Sequence, residues 1–152
     1  AVNGLSHHEL LRLFVDAIYF RNLCFNGDIV GFLIVFGPRC QYRSVNYRWF
    51  AERYKQFLYI DRIVIEPSHQ RIGYGRMLYD KLREFAGHRF RQITCEVNLR
   101  PKNEGSLIFH QGYGFRQVGT QKTESGAKEV SLMEYQLFSG KNRMNQEKSA
   151  RH

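Results

Sequence analysis

Residues 64–75 read VIEPSHQRIGYG, and the way its two glycines are used decides how the whole chain is read. A β-branched run stops at Pro67, which cannot donate to a sheet ladder, and a helical period begins at Tyr74. The stretch is therefore a strand-to-helix loop. Such a loop aims free backbone N–H groups from the positive end of a helix dipole, which makes a ready anion site. Gly73 and Gly75 permit close backbone approach, while Gln70, Arg71 and Arg76 add donors or positive charge. An ordinary tight turn would use the same glycines, so the motif does not decide alone. Two familiar phosphate motifs fail. The third glycine of G-x-G-x-x-G falls on Leu78, and no Gly-Lys-Ser/Thr follows any glycine run.

Outward from the loop, QFLYIDRIVI (56–65) is rich in β-branched and aromatic residues and predicts a central strand. Beyond it, Met77, Leu78, Leu82 and Phe85 recur at helical intervals as far as Gly87, a stop signal. Near the start, SHHELLRLFVDAIYF (6–20) carries Leu10, Leu11, Phe14, Val15, Ile18 and Tyr19 at helical spacing, with Ser6 as N-cap and Glu9 three residues on. Asn26-Gly27 then sits between two apolar runs and predicts a hairpin. VNYRWFAERY (45–54) reads as a short helix or structured loop. RQITCEVNL (91–99) is a strand, NEGSLIFHQGY (103–113) a short helix, and GFRQVGTQ and EVSLMEYQLF two strands joined by a loop containing Gly126. The order α, β-hairpin, β, α, β, α, β, β is an α/β layout with one mixed sheet.

The chain has 152 residues, 43% of them hydrophobic, enough for one real core and short for two. One domain over residues 1–138 is expected, followed by a basic, flexible tail over 139–152 with no apolar period. The formal net charge of +9 favours a polyanionic partner, whether nucleic acid, a membrane surface or a phosphorylated cofactor. Part of that excess lies in the tail. Cys24, Cys40 and Cys95 are odd in number and lack metal-ligand spacing, so neither a disulfide framework nor a zinc site is expected, and a reducing cytoplasm is the default. No run approaches the roughly 20 apolar residues of a membrane span, and no leader or internal repeat is expected.

Two blocks together resemble the GNAT superfamily of acyl-CoA-dependent N-acyltransferases. Its fingerprint Gln/Arg-x-x-Gly-x-Gly/Ala, after a strand ending near V-x-P, appears as VIEPSHQRIGYG. Its second block, Asn-x-x-Ala/Ser-x-x-Leu/Phe-Tyr-x-x-x-Gly-Phe, appears as NEGSLIFHQGYGF from Asn103 to Phe115. The resemblance spans about residues 20–138. It implies a GNAT-like fold, an α/β architecture with a single mixed, mostly antiparallel sheet flanked by helices. The fold's usual first strand is not evident, because the chain opens on a helix. The resemblance also implies acetyl-CoA as cofactor. The strand backbone at Ile63, Val64 and Ile65 would pair with the pantetheine arm. The amides from Gln70 through Arg71, Ile72, Gly73, Tyr74 and Gly75 to Arg76 would hold the pyrophosphate, with Asn103 and Phe109 on the second block. A diphosphate is what needs bare backbone, and it accounts for the basic loop without nucleic acid.

The implied reaction is attack of a neutral amine on a thioester. An alkyl ammonium has a pKa of about 10.4, so near neutral pH a proton must first be removed. Glu96, in TCEVN, is one candidate base, and relatives that acetylate ribosomal-protein N-termini carry a glutamate in a similar place. Asp61, in YIDRIV, is the rival: a carboxylate in mid-strand needs a cation, water or substrate. Alternation predicts that Arg62 points to the opposite face and is not its partner. Either acid could instead be a structural ion pair, and many relatives deprotonate through a water chain. His110 occupies the place of the family tyrosine that donates to the leaving sulfur. It could donate when protonated, accept a relayed proton when neutral, or be a partly exposed helix residue without a chemical role.

By resemblance the acceptor, a small molecule or a protein N-terminus or lysine, approaches residues 41–54. There Tyr42, Tyr47, Trp49, Phe50 and Tyr54 are expected to be mostly core. A homodimer is left open, and no membrane partner is expected. The alternatives are a non-catalytic acyl-CoA-binding module, and a basic nucleic-acid-binding domain for which no recognition helix or RNP-like signature is found.

Overall fold

The structure, a computed structural model, describes residues 6–41 and 44–138. The basic tail and Tyr42 lie outside the described residues. Helix α1 (His7–Asp16) opens on a capping box in which Ser6 Oγ accepts from the Glu9 amide and Glu9 reaches back to the Ser6 amide. It ends three residues before Tyr19, the last residue of the apolar spacing. Tyr19 begins strand β1 (Tyr19–Phe25) instead, with its ring packed on Phe85. Leu13 and Ala17 pack against the core, whereas Leu11, Phe14 and Val15 are at least half exposed.

The hairpin to β2 (Asp28–Phe36) turns at Asn26 and Gly27, with φ of 50° and 84°. Two successive positive φ values define the turn whose twist matches the flanking strands, so Phe25 pairs directly with Asp28. After α2 (Val45–Ala51), β3 (Phe57–Ile65) enters the middle of the sheet, and a short 3-10 turn leads to α3 (Tyr74–Ala86). Then come β4 (Gln92–Arg100), α4 (Glu104–Tyr113), β5 (Arg116–Thr123) and β6 (Lys128–Gln136). The six strands form one sheet in the order β1-β2-β3-β4-β6-β5, parallel only between β3 and β4.

Two apolar cores sandwich this sheet. On one face, Leu78, Tyr79, Leu82 and Ala86 of α3 and Leu107 and Tyr113 of α4 cover Leu33, Leu58, Ile93 and Met133. Met77, although at helical spacing, is 42% exposed because the buried stripe runs through Leu78 and Tyr79. On the other face, Tyr47 and Phe50 of α2 pack on Phe36, Tyr59 and Leu132. Buried Glu134 ties this layer down, accepting from Tyr54, just after α2, and from Arg116 of β5.

Two irregularities set up the site. The β3–β4 ladder holds only three pairs, ending at Tyr59 opposite Thr94, where the Thr94 hydroxyl donates to Leu58 O at 2.9 Å. Beyond that point β3 makes no pair with β4, and a gap opens in the sheet. At the same place β3 has a bulge: Ile34 pairs with Arg62 and Val35 with Ile60, so Asp61 is the extra residue. The bulge reverses the alternation. Arg62 consequently comes within 3.5 Å of Asp61 Oδ2, against the expectation of opposite faces.

Gly31, paired with Ile65 at the end of β3, is packed so closely that a Cβ there would lie 2.5 Å from Val64 O. Because that neighbour is backbone, Gly31→Ala should cost about 2 kcal/mol or more, read as a lower urea midpoint at unchanged m value. A midpoint equal to the parent's would mean the strands separate there freely.

Candidate active site

On the α3/α4 face the gap opens into a cleft of about 650 Å³, lined by Ile63, Ile65, Gln70, Arg71, Gly73, Gly75, Arg76, Asn103, Gly105, Ser106, Phe109 and His110. Among the described residues its walls carry Arg71 and Arg76 and no carboxylate. Ile63 and Ile65 point into it, while Val64 packs on the opposite core. The gap-facing backbone edge of β3 is therefore open to another extended chain.

The loop is bent by two left-handed residues, Arg71 at φ 64° and Gly73 at φ 97°. Gly73 caps α3 with no side-chain hydrogen bond, so the first N–H groups of that helix are left for a ligand. A Cβ on Gly73 would meet nothing within 4 Å, whereas one on Gly75 would lie 3.0 Å from Phe109 Cζ. The two glycines thus serve different ends. Gly73 keeps bare backbone toward the cleft beside exposed Ile72, and Gly75 lets the Phe109 ring pack between α3 and α4. Gln70 turns its amide back, donating from Nε2 to Ile65 O at 2.7 Å, and so pins the loop to the strand it leaves. Tyr74 supplies the first turn of α3, and Asn103 caps α4 by accepting from the Ser106 amide at 3.1 Å.

His110 is 4% exposed, and both its ring nitrogens are engaged. Nδ1 lies 2.7 Å from Ser106 O, which can only accept, so Nδ1 carries the proton. Nε2 then accepts from the Tyr79 hydroxyl at 2.8 Å. Burial holds the ring below the usual histidine pKa, which favours this neutral form.

On the α1/α2 face, reached through the same gap, stands Glu96 of β4. Burial pushes its carboxyl up to about 7, and the nearby Asp61 charge adds to this, while hydrogen bonds from Tyr59 and Asn46 oppose it. Tyr59, buried at 1% exposure, donates to Oε2 at 2.6 Å. The Asp61 side chain is 6% exposed and sits beside the Arg62 guanidinium. The structure thus brings Asp61 and Glu96 into one electrostatic cluster and places His110 on the opposite face. Tyr47 and Phe50 are core, as expected from the sequence; Trp49 and Tyr54 are half-buried, with Arg53 stacked 3.7 Å above Trp49. Tyr59 and Asn46 were not evident as site residues, since an aromatic in a strand and a polar residue in a short helix carry no motif.

The bent N–H loop, the open strand edge and a basic, carboxylate-free cleft fit a phosphate-bearing ligand with an extended arm. Residues 5–115 match the Acetyltransferase (GNAT) family. Comparison with curated proteins gives no match. Among solved structures, Ard1 from Thermoplasma volcanium superposes with a TM-score of 0.71 at 16% identity, covering 91% of this chain and 84% of that one. A GNAT acetyltransferase from Elizabethkingia anophelis with acetyl-CoA bound gives 0.63 at 15% identity, over 86% and 83%. The ribosomal-protein-S18-alanine N-acetyltransferase from Escherichia coli gives 0.62 at 18%, over 92% and 84%. These likenesses carry the fold. No helix among the described residues is long and apolar enough to cross a membrane. With the family match over most of its length, a fold shared with family members and a cleft suited to its cosubstrate, the chain belongs to the GNAT family of acetyltransferases, which use acetyl-CoA.

Proposed function

We propose that the chain is an N-acetyltransferase of a single catalytic domain, taking acetyl-CoA on the α3/α4 face and a primary amine on the α1/α2 face. The observation that carries this reading is the division of chemistry across the sheet gap: arginines without carboxylates on one side, a proton-accepting glutamate on the other.

Acetyl-CoA supplies the activated thioester carbonyl. The β3 edge at Ile63, Val64 and Ile65 pairs with its amide-bearing arm, and the amides from Gln70 to Arg76 take its pyrophosphate. Arg71 and Arg76 add charge at the cleft wall, Phe109 packs α4 on Gly75, and Asn103 caps α4. Glu96, titrating near pH 7, is ionised in enough of the molecules at neutral pH to accept the amine's proton. Asp61 tunes that group by its charge. His110, neutral and held at both nitrogens, braces α4 against Tyr79. A thiol has a pKa of about 8.5, so the sulfur can leave near neutral pH without a histidine proton. The acceptor is a small amine or a protein amine, and three cysteines, an odd number without metal-ligand spacing, suit a reducing cytoplasm.

The test is calorimetric titration with acetyl-CoA, followed by a free-thiol assay over a panel of amines and peptide N-termini. Binding with thiol release is expected. Absence of binding would overturn the reading, and binding without release across the panel would favour a non-catalytic acyl-CoA-binding module, the alternative suggested by the internally satisfied His110.

A further inference from the structure

Helix α4 returns along β4, and contacts at its two ends fix its level in the sheet. The Asn103 amide at its start donates to Asn98 O at 3.0 Å, and the Tyr113 ring at its end packs on Tyr135, which pairs with Ile93. Ser106 follows Asn103 by three residues, about 4.5 Å along a helix that rises about 1.5 Å per residue. At about 3.3 Å per strand residue, that brings it back from Asn98 to the level of Val97 and Glu96. Ser106 lines the α3/α4 cleft, whereas Glu96 stands on the α1/α2 face with Tyr59. The two residues therefore flank the gap at one level from opposite faces.

What Ser106 offers there follows from its neighbours. His110 Nδ1–H donates to Ser106 O at 2.7 Å, so Ser106 Oγ, 3.2 Å from the same nitrogen, can only accept a share of that hydrogen. The buried Tyr79 hydroxyl holds this tautomer by donating to Nε2 at 2.8 Å. Among the described residues Ser106 Oγ has no other hydrogen-bond partner, which leaves its own hydrogen for a ligand. The other side-chain donors of the cleft are spent or placed elsewhere. Gln70 donates to Ile65 O, His110 has used its hydrogen, Asn103 sits nearly a turn further out, and Arg71 and Arg76 stand at the loop end. We infer that the Ser106 hydroxyl donates a hydrogen bond to the sulfur of acetyl-CoA as it leaves. The inference rests on the division of cosubstrate and acceptor between the two faces. In that step the amine nitrogen bonds to the acetyl carbon and its proton passes to Glu96, while the carbon–sulfur bond breaks and its electron pair stays on sulfur. The thiolate so formed only accepts hydrogen bonds, and Ser106 supplies one without giving up its proton. The share of His110 Nδ1–H that Oγ accepts polarises the hydroxyl and strengthens it as a donor.

The experiment is a titration of the thiol of coenzyme A bound to the full chain, in the parent, Ser106→Ala and Ser106→Thr. The thiolate is followed by its ultraviolet absorbance, with desulfo-coenzyme A as the blank for the protein's own tyrosines and cysteines. Calorimetry gives saturation and reports a folded cleft in each chain. Ser106→Ala should raise the midpoint of the bound thiol by about one pH unit, as for loss of a hydrogen bond to a charged group. It should also lower kcat about tenfold and leave KM for acetyl-CoA within about twofold. Ser106→Thr keeps the hydroxyl and should titrate as the parent does. The charged groups on either side of the gap, Arg71 and Arg76 of the loop and Asp61, Arg62 and Glu96 across from it, are common to all three chains. The difference between midpoints therefore belongs to the hydroxyl. Equal midpoints in the parent and Ser106→Ala would overturn the inference. So would a loss of acetyl-CoA affinity that accounts for the whole rate defect, since the hydroxyl would then hold the arm and not the sulfur. Failure of the parent to bind coenzyme A would take the proposed function down as well, whereas a bound thiol indifferent to Ser106 overturns this inference alone.

Discussion

Gly73→Glu is expected to weaken acetyl-CoA binding by two to three orders of magnitude while the chain still folds. Two effects add. At φ 97° any L side chain is strained, which costs about 1 kcal/mol and lowers the melting temperature by a few degrees. The larger effect is electrostatic. A side chain at this position meets no atom within 4 Å of its Cβ, so nothing prevents the new carboxylate from occupying the space over the α3 amides. A carboxylate about 4 Å from a phosphate at an effective dielectric near 20 is repelled by about 4 kcal/mol. Gly73→Ala carries the strain without the charge and should stay within about tenfold of the parent's affinity. Calorimetry on both variants, with circular dichroism as the folding control, decides it. A folded Gly73→Glu chain that binds as the parent does would move the phosphates out of this loop.

Glu96→Gln should lower kcat by about a hundredfold or more near pH 7 and leave acetyl-CoA affinity within about twofold, since general-base groups contribute in that range and the residue lies across the gap from the cleft. The parent's rate should fall tenfold per pH unit below about 7, where Glu96 takes up its proton. The deficit of the variant should narrow toward pH 10 as the amine deprotonates on its own. Stability should move the other way. The folded-state pKa of Glu96 is raised above its ordinary value of 4.5, so the folded chain binds that proton more tightly than the unfolded one does. Its contribution is fully present below pH 4.5 and is lost as pH rises through about 7. Glu96→Gln, which stays neutral, should therefore melt higher than the parent at pH 8. A variant with parental kcat at pH 7 would shift the base to Asp61 or to water.

Local chemistry made much of this architecture legible. Asn26-Gly27, the Ser6/Glu9 cap, Pro67 and Gly87 each punctuate the chain where the structure breaks it, because each acts through its own backbone or immediate neighbours. What was not legible depends on contacts between distant segments. The face taken by Arg62 follows from one inserted residue in the β2–β3 register, and a period of two cannot foresee an insertion. The role of Gly75 follows from the Phe109 ring, 34 positions away in the sequence, and Tyr19, just past α1, packs on a ring of α3. The candidate site divides in the same way. The loop proposed for phosphate is contiguous and could be read as a motif, whereas Tyr59 and Asn46 bear on Glu96 from two separate elements.

The interrupted ladder between β3 and β4 also bears on motion. Three residue pairs, the Thr94 hydroxyl and the Arg91–Gln56 backbone bond just before them join the sheet's halves, so each half can breathe against the other without breaking its internal hydrogen bonds. A ligand arm lying in the gap would act as a missing strand and join the two halves. Hydrogen exchange at the gap-facing amides of residues 60–65 should then be fast in the free protein and slow with acetyl-CoA bound. At a hundredfold excess over Kd, that mending would add about 2.7 kcal/mol to the stability of the whole chain.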